Sequence, residues 1–276
     1  MSIRRILHLI LALSLALGWL AAPAQTAAAM GLVNEPLLWV PNDVVQSMAI
    51  AGDTLYIGGD FTRIGPPTGP FADLDPLTGE ANLAMPRVGS GTVRVIAPDG
   101  SGGWYIGGDF TQVGGQPRQA LAHILSDGSL DTAWDYEFNQ FVTVYALAVS
   151  GSTVYIGGTF STINGASRAN LAAIDASSGN LTAWNPGATS AVYALNVSGG
   201  MLYVGGAFGA TGGQVRARLA AYDLSAGALA AWNPAVSGNT VYIVYALASC
   251  GGRVYGGGTF TGVGGQPRSS IAAVDA

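Results

Sequence analysis

Two carboxylates, Asp60 and Asp109, occupy the same position in two copies of a repeated Gly-Gly-x-Phe motif. Later copies carry Thr159, Ala207 and Thr259 at that position. Neighbouring carboxylates can hold a cation such as Ca²⁺, or act as an acid and base pair. Because calcium takes about six to eight oxygen ligands, these two alone are too few, and we expect no metal site. We keep both residues as ligand-binding candidates, against the simpler interpretation that they are exposed turn residues.

Four arginines also recur in register, and they are Arg118, Arg168, Arg216 and Arg268. A ring of guanidinium groups could bind an anionic sugar or a carboxylate. A residue that is present in nearly every unit more simply serves the scaffold, by ordering loop carbonyls or by bridging to the adjacent unit. Both interpretations stay open, and the four arginines join Asp60 and Asp109 as candidate ligand-binding residues.

Residues for catalysis are scarce, and we predict no catalytic residue and no cofactor. His123 stands in a predicted strand where other copies carry alanine, which suggests a tolerated substitution. Cys250 precedes a Gly-Gly turn and has no activating basic neighbour in sequence. The chain has no lysine, which excludes Schiff-base chemistry, and its Gly-Gly pairs lack the lysine of a phosphate loop.

Composition narrows the class of protein. The 276 residues are 49% hydrophobic and only 10% charged, which excludes a disordered chain. A formal net charge of −5 disfavours a nucleic-acid partner, because phosphate neutralisation needs clustered cations. One cysteine excludes a disulfide scaffold.

Residues 1–29 have the pattern of a secretory signal rather than of folded structure. Arg4 and Arg5 precede an apolar run, and small residues follow that would allow cleavage after Ala24 or Ala29. An uncleaved anchor helix is the alternative. We expect a secreted or cell-surface protein with no membrane span in the mature chain.

One unit of about 50 residues recurs through residues 30–276, and five phenylalanines mark its copies: Phe61, Phe110, Phe160, Phe208 and Phe260. The clearest copy contains four short apolar runs at 144–149, 154–160, 171–175 and 181–184, each ended by Gly, Ser, Asn or Pro. Four strands at this period predict an all-β protein, a β-propeller of about five four-stranded blades.

The elements that must position the candidate residues are therefore sheets stacked face to face. Repeated Gly-Gly pairs would let the neighbouring unit approach closely, and the recurrent Trp134, Trp184 and Trp232, with Trp39 in phase, would pack between units. Tyr136, Phe138 and Phe141, in a non-repeating stretch, could stack on a sugar or a peptide or pack between units.

Two interpretations of the ends stay open. Residues 37–41 could pair with residues 271–275 and close a five-bladed ring. Alternatively, the chain is a fragment of a larger propeller.

Two segments carry a family resemblance: 153–179, TVYIGGTFSTINGASRANLAAIDASSG, and 104–134, which includes Gly-Gly-x-x-Arg and Asp-Gly-Ser-Leu-Asp. They resemble the delta-sixty repeat of secreted bacterial propeller proteins. The resemblance implies a propeller fold and a secreted or surface location, and it implies no common activity.

The sequence thus favours a secreted, non-enzymatic propeller that acts as a binding or structural module. Its partner would be an unknown extracellular ligand, a protein or a glycan, and the chain could belong to a larger surface protein. A glycan-acting hydrolase or lyase with a site on one rim is the first alternative. A quinoprotein-type dehydrogenase is the second.

Overall fold

The computed structural model describes residues 41–51, 54–62, 64, 69–74, 81–82, 84–139, 142–239 and 241–276. The predicted signal segment, Trp39 and Phe141 lie outside the described residues. Every regular element within the described ranges is a β-strand, and adjacent paired strands are antiparallel, which confirms the all-β prediction. No helix among these residues is long and apolar enough to cross a membrane.

The strands fall into five units. Unit 1 contains β1 (Val45–Ala51), β2 (Thr54–Gly59) and β3 (Phe71–Leu74), and unit 2 contains β4 (Val93–Pro98), β5 (Trp104–Gly108), β6 (Gln112–Val113), β7 (Gln116–Pro117) and β8 (Leu121–Ile124). Unit 3 contains β9 (Thr143–Ser150), β10 (Thr153–Thr159), β11 (Thr162–Ile163), β12 (Ala166–Ser167) and β13 (Leu171–Asp175), and unit 4 contains β14 (Val192–Ser198), β15 (Met201–Gly206), β16 (Ala210–Thr211), β17 (Gln214–Val215), β18 (Leu219–Asp223) and β19 (Ala228–Leu229). Unit 5 contains β20 (Val236–Ser237), β21 (Val244–Cys250), β22 (Arg253–Gly258), β23 (Gly262–Val263), β24 (Gln266–Pro267) and β25 (Ile271–Asp275).

Each unit has one main sheet whose strands follow chain order, such as β9-β10-β13. Unit 4 adds β19 as a fourth strand. In units 1 to 3 the fourth strand is reduced to a single bridge, as between Ile174 and Leu181. This outer segment is short because Asn185 and Pro186 follow it in unit 3, and proline cannot donate to a ladder.

A small ribbon accompanies the main sheet, and the sequence analysis did not predict it. The hairpin β11-β12 lies between the second and third main strands of unit 3, and Phe138, on the segment entering the unit, bridges to Ile163. The tip is Asn164-Gly165, with φ of 48° and 73°. Two consecutive positive φ values define the tight hairpin turn that favours Asn-Gly and Gly-Gly. Equivalent Gly-Gly tips recur in units 2, 4 and 5.

The main sheets stack in sequence. We call the first strand of each main sheet (β1, β4, β9, β14 and β21) its inner strand, and the inner strands of successive units pack against each other. Apolar clusters fill the space between successive sheets, and one joins Tyr155 and Leu171 of unit 3 to Val192 and Val204 of unit 4. This radial stacking is that of a β-propeller.

The predicted tryptophans do pack between units. The indole Nε1 of Trp184 donates to the Gly227 carbonyl, and its ring meets Tyr155 and Tyr222 edge-on. Tyr136 and Phe138 are 3% and 6% exposed, which makes them packing residues rather than a sugar platform.

The two ends of the described chain pair within their own units. Pro41 bridges Ile64 within unit 1, and residues 37–40 lie outside the described residues. Strand β25 pairs with β22 of its own sheet.

Candidate functional site

Every inner strand contains one β-bulge at the same place. In unit 3, Val144 pairs with Gly158 and Ala146 with Gly157, so Tyr145 is the extra residue. The pattern repeats in all five sheets. A bulge re-aims the extra side chain and often lies beside a functional site. We call the five extra residues the bulge row: Gln46, Arg94, Tyr145, Tyr193 and Tyr245.

The second glycine of each Gly-Gly pair is what permits the bulge. A Cβ on Gly158 would overlap the carbonyl oxygen of Thr143, and one on Gly108 would overlap that of Thr92. No other residue could lie so close to the bulged backbone. The repeated glycines therefore hold the bulge row in place, while the row itself varies from unit to unit.

Asp60 and Asp109 lie beside the polar half of this row. The Gln46 Nε2 donates to Asp60 Oδ2 (2.9 Å), and the Arg94 Nη2 donates to Asp109 Oδ2 (2.9 Å). Thr92 joins the two carboxylates, because its hydroxyl donates to Asp60 (2.6 Å) and its amide to Asp109 (2.5 Å). The structure thus brings the two acidic candidates into one hydrogen-bonded chain.

The other half of the row is aromatic. The Arg94 guanidinium lies 5.7 Å from the Tyr145 ring centroid. The Tyr145 and Tyr193 centroids are 4.9 Å apart, and those of Tyr193 and Tyr245 are 5.3 Å apart. Partial burial, followed by the two flanking tyrosines, raises the pKa of Tyr193. Tyr245 is 48% exposed, so an aromatic surface is open to solvent.

The electrostatics hold Asp60 in its ionised form. Hydrogen bonds from Thr92 and then Gln46 lower the pKa of Asp60, opposed by partial burial and assisted by the Arg94 charge. A carboxylate that loses its proton so readily is a poor general acid at neutral pH.

The repeated arginines lie elsewhere and bind carbonyl oxygens. Arg168 donates to the carbonyls of Ser167 (2.8 Å) and Thr182 (2.9 Å), joining the ribbon to the outer segment of the same unit. Arg216 repeats this arrangement with the carbonyls of Val215 and Ala230.

The two remaining arginines depart from that pattern. Arg118 donates to the Pro117 carbonyl and lies 3.4 Å from Asp135, in a cleft of about 340 Å³ that Tyr136 and Asn164 also line. Arg268 is exposed and donates to the Pro267 carbonyl.

His123 has a more specific role than the sequence suggested. Its Nδ1 lies 2.9 Å from Asp131 Oδ2, and its Nε2 lies 3.2 Å from Asp99 Oδ2. The imidazole stacks on Tyr105, with ring centroids 4.3 Å apart, and is 6% exposed. Each ring nitrogen thus lies within hydrogen-bond distance of a carboxylate, so His123 is part of a buried polar network rather than a merely tolerated substitution.

Hydrogen bonding also decides the charge of Asp99. Burial alone would raise the pKa of Asp99, but hydrogen bonds from Ser101, His123 and the Gly103 amide outweigh burial and lower it. Within the part of the chain that the structure describes, no group of three or more His, Cys, Asp or Glu side chains is arranged to hold a metal ion.

The bulge row was not predicted from the sequence, although a signal was present. Each inner strand carries a valine at or next to its first residue, and the residue after that valine changes from Gln46 to Arg94 and then to tyrosine in the last three units. A variable position inside an otherwise repeated motif was the available clue.

Comparisons with known proteins agree on the fold. Residues 98–133 match a family described as a β-propeller domain of unknown function (DUF5122). No curated protein matches the chain. The resemblance to the delta-sixty repeat itself stays a prediction.

Two solved structures are similar in shape. The computationally designed Ika8 protein has a TM-score of 0.51 at 17% identity, with 78% of this chain covered. This chain spans 55% of the designed protein's length. A chain of the nidogen/laminin complex has a TM-score of 0.52 at 13% identity, with 84% of this chain and 76% of that chain covered. At such identities the likeness shows the propeller fold alone.

Proposed function

We propose that the protein is a secreted, non-enzymatic β-propeller module that binds an extracellular ligand on the bulge row. The observation that carries the proposal is the set of five bulges. Each re-aims one side chain at an equivalent place, and the supporting glycines are the same in every unit while the side chain is glutamine in unit 1, arginine in unit 2 and tyrosine in units 3 to 5.

The chemistry of the row suits an uncharged glycan. Tyrosine rings offer apolar faces to the C–H bonds of sugars, and a tyrosine hydroxyl remains available at one end. Asp60, Asp109 and Gln46 supply acceptors and donors for sugar hydroxyls. Two carboxylates lie beside the one guanidinium of the row, so the local negative charge would repel a polyanionic ligand. A chain of similar fold occurs in the nidogen/laminin complex, so a protein ligand is the alternative. The experiment must therefore distinguish a glycan from a protein.

The carboxylates are better suited to binding than to hydrolysis. A glycan hydrolase needs one carboxyl group that keeps its proton until the leaving group takes it. Asp60 has a lowered pKa, and both of its oxygens already accept hydrogen bonds. Both oxygens of Asp109 also accept hydrogen bonds, from Thr92 and Arg94, and each keeps a second lone pair that a sugar hydroxyl can use.

Secretion is part of the proposal and rests on the pattern of residues 1–29. Expression of the full chain in a bacterial host with a secretory pathway, followed by N-terminal sequencing, tests it. A mature chain that begins after Ala24 or Ala29 supports secretion. An intact N-terminus retained with the membrane contradicts it.

The binding proposal is tested on residues 30–276 with an array of neutral oligosaccharides and, in parallel, an array of extracellular proteins. We expect retention by at least one oligosaccharide class, loss of that signal in Tyr193→Ala, and no shortening of the bound glycan. Binding to the protein array alone would show that the ligand is a protein rather than a glycan. Cleavage of the bound sugar would overturn the non-enzymatic assignment.

A further inference from the structure

The units stack by a repeated valine-on-glycine contact. A Cβ built on the first glycine of a Gly-Gly pair would lie 2.5 to 2.8 Å from the Cγ1 of the valine that precedes the bulge residue in the next inner strand. Those four valines are fully buried. The contacting pairs are Gly58 with Val93, Gly107 with Val144, Gly157 with Val192 and Gly205 with Val244. Each glycine is thus a socket for one valine.

Among the described residues, no valine fills the fifth socket. A Cβ on Gly257 would meet nothing closer than Ala246 of its own sheet, at 3.8 Å. Ile271, on the same face, is 67% exposed, whereas its counterparts Leu121 and Leu171 are 0% exposed. Ala246 and Ala273 on this face are also exposed. We call this surface, with Gly257 at its centre, the socket face.

Unit 1 carries the complementary surface. Val45 precedes the bulge residue of β1 as the other valines precede theirs, and it is only partly buried. Met48 and Ile50 point to the same side of β1 and are 40% and 64% exposed. We call this surface the valine face. Its shape and apolar character match what the other four sockets already hold.

We propose that the socket face of one molecule binds the valine face of a second copy of this chain, with Val45 of one copy seated on Gly257 of the other. The contact continues, in the same register, an interface that the molecule already makes four times. Because the two faces differ, the association is head-to-tail and can extend beyond a dimer. This inference is independent of the ligand proposed above.

A disulfide tests the pairing directly. In the filled sockets a built Cβ on Gly58, Gly107 or Gly157 lies 3.0 to 3.2 Å from the valine Cβ, so a small separation of the two backbones reaches the value of about 3.8 Å that a disulfide prefers. Val45→Cys and Gly257→Cys are combined in a Cys250→Ala background, and the purified protein is oxidised mildly. We expect species linked between copies on a non-reducing gel.

The control pairs Gly257→Cys with Val215→Cys, because Val215 is 78% exposed but lies on a ribbon outside both faces. Linkage in the control to the same extent would overturn the proposal. So would a product that stays monomeric, whether its thiols remain free or join within one chain. A bond within one chain would show instead that the two faces of a single molecule meet.

Self-association provides the second measurement. We expect the average mass of residues 30–276 to rise with concentration in light scattering, and Ile271→Arg to abolish that rise. Val215→Arg makes the same chemical change at an exposed valine and should leave the association intact. A wild-type protein that stays monomeric at all concentrations, or equal effects of the two variants, would contradict the proposal.

Discussion

Single residues that break the repeat have two different uses in this molecule. Some face the solvent in the bulge row, and others complete a buried network. His123 belongs to the second kind, since its partners Asp99 and Asp131 also stand where other units have different residues. Sequence alone could not join the three, because they come from a turn, a strand and an outer segment. Their shared departure from the repeat was the only signal.

Removing the imidazole leaves two facing carboxylates with no donor between them. We expect His123→Ala to lower the free energy of unfolding by about 3 kcal/mol, since two carboxylates lose a buried hydrogen-bond partner. Urea denaturation at neutral pH measures the change. Adding Asp99→Asn and Asp131→Asn to the same variant should recover part of the loss. A change below about 0.5 kcal/mol would show that the network contributes little.

Acid should weaken the fold through carboxylates whose pKa is lower in the folded than in the unfolded state. Hydrogen bonds from Ser177 and Ser178 bring the pKa of Asp175 to about 2, from 3.8. Asp60 and Asp99 shift in the same direction. Such groups stabilise the fold above their unfolded pKa, and that contribution disappears as pH falls through the folded value.

We therefore expect the urea midpoint to decline between about pH 4 and pH 2. Asp175→Asn is the matched variant, because an amide oxygen can still accept the hydrogen bonds of that turn but does not titrate. Its decline should be shallower than that of the wild type. Identical profiles would mean that Asp175 does not contribute to the acid transition.

At the scale of elements, the main strands were predictable and the ribbons were not. Short runs of β-branched and aromatic residues ended by turn residues identified strands such as β9, β10 and β13. The ribbon strands are only two residues long, too short for any periodic pattern. Their signal was the Gly-Gly or Asn-Gly pair of the turn, a strong hairpin cue by itself.

The valine-on-glycine contact predicts that the same glycine-to-alanine substitution affects stability differently at Gly157 and at Gly257. Gly157→Ala places a methyl group against Val192 and should cost about 2 kcal/mol of unfolding free energy. Gly257→Ala has open space and should leave stability unchanged or slightly raised. Urea denaturation of both variants measures the difference. Equal costs at the two positions would contradict the valine-on-glycine contact.

The repeated arginines join elements, so replacing them should lower the free energy of unfolding. Arg168→Met loses two hydrogen bonds from a charged donor to carbonyls and should cost about 2 kcal/mol. Arg268→Met loses one exposed hydrogen bond and should cost less than about 0.5 kcal/mol. Thermal unfolding of both variants gives the comparison. Unchanged stability of Arg168→Met, together with weaker ligand binding, would favour the guanidinium ring as a ligand site.

For the whole molecule, the period and strand content were enough to predict a propeller, and the structure confirms that class. The position of the candidate site was only partly predictable. Asp60 and Asp109 were identified because they interrupt a motif, but the bulge that places Arg94 and Tyr145 beside them depends on pairing between strands. Register is a property of the folded sheet, so it could not be read from one strand's sequence.

The dissociation constant for the best array ligand tests the central claim, that the bulge row is the binding surface. It is measured by titration calorimetry on the wild type, Tyr193→Ala, Arg94→Met and Arg268→Met, the last being an exposed arginine outside the row. We predict a loss of at least about tenfold for the first two variants, as expected when about 1.4 kcal/mol of contact is removed, and an unchanged value for Arg268→Met. Wild-type affinity in both Tyr193→Ala and Arg94→Met would contradict the claim.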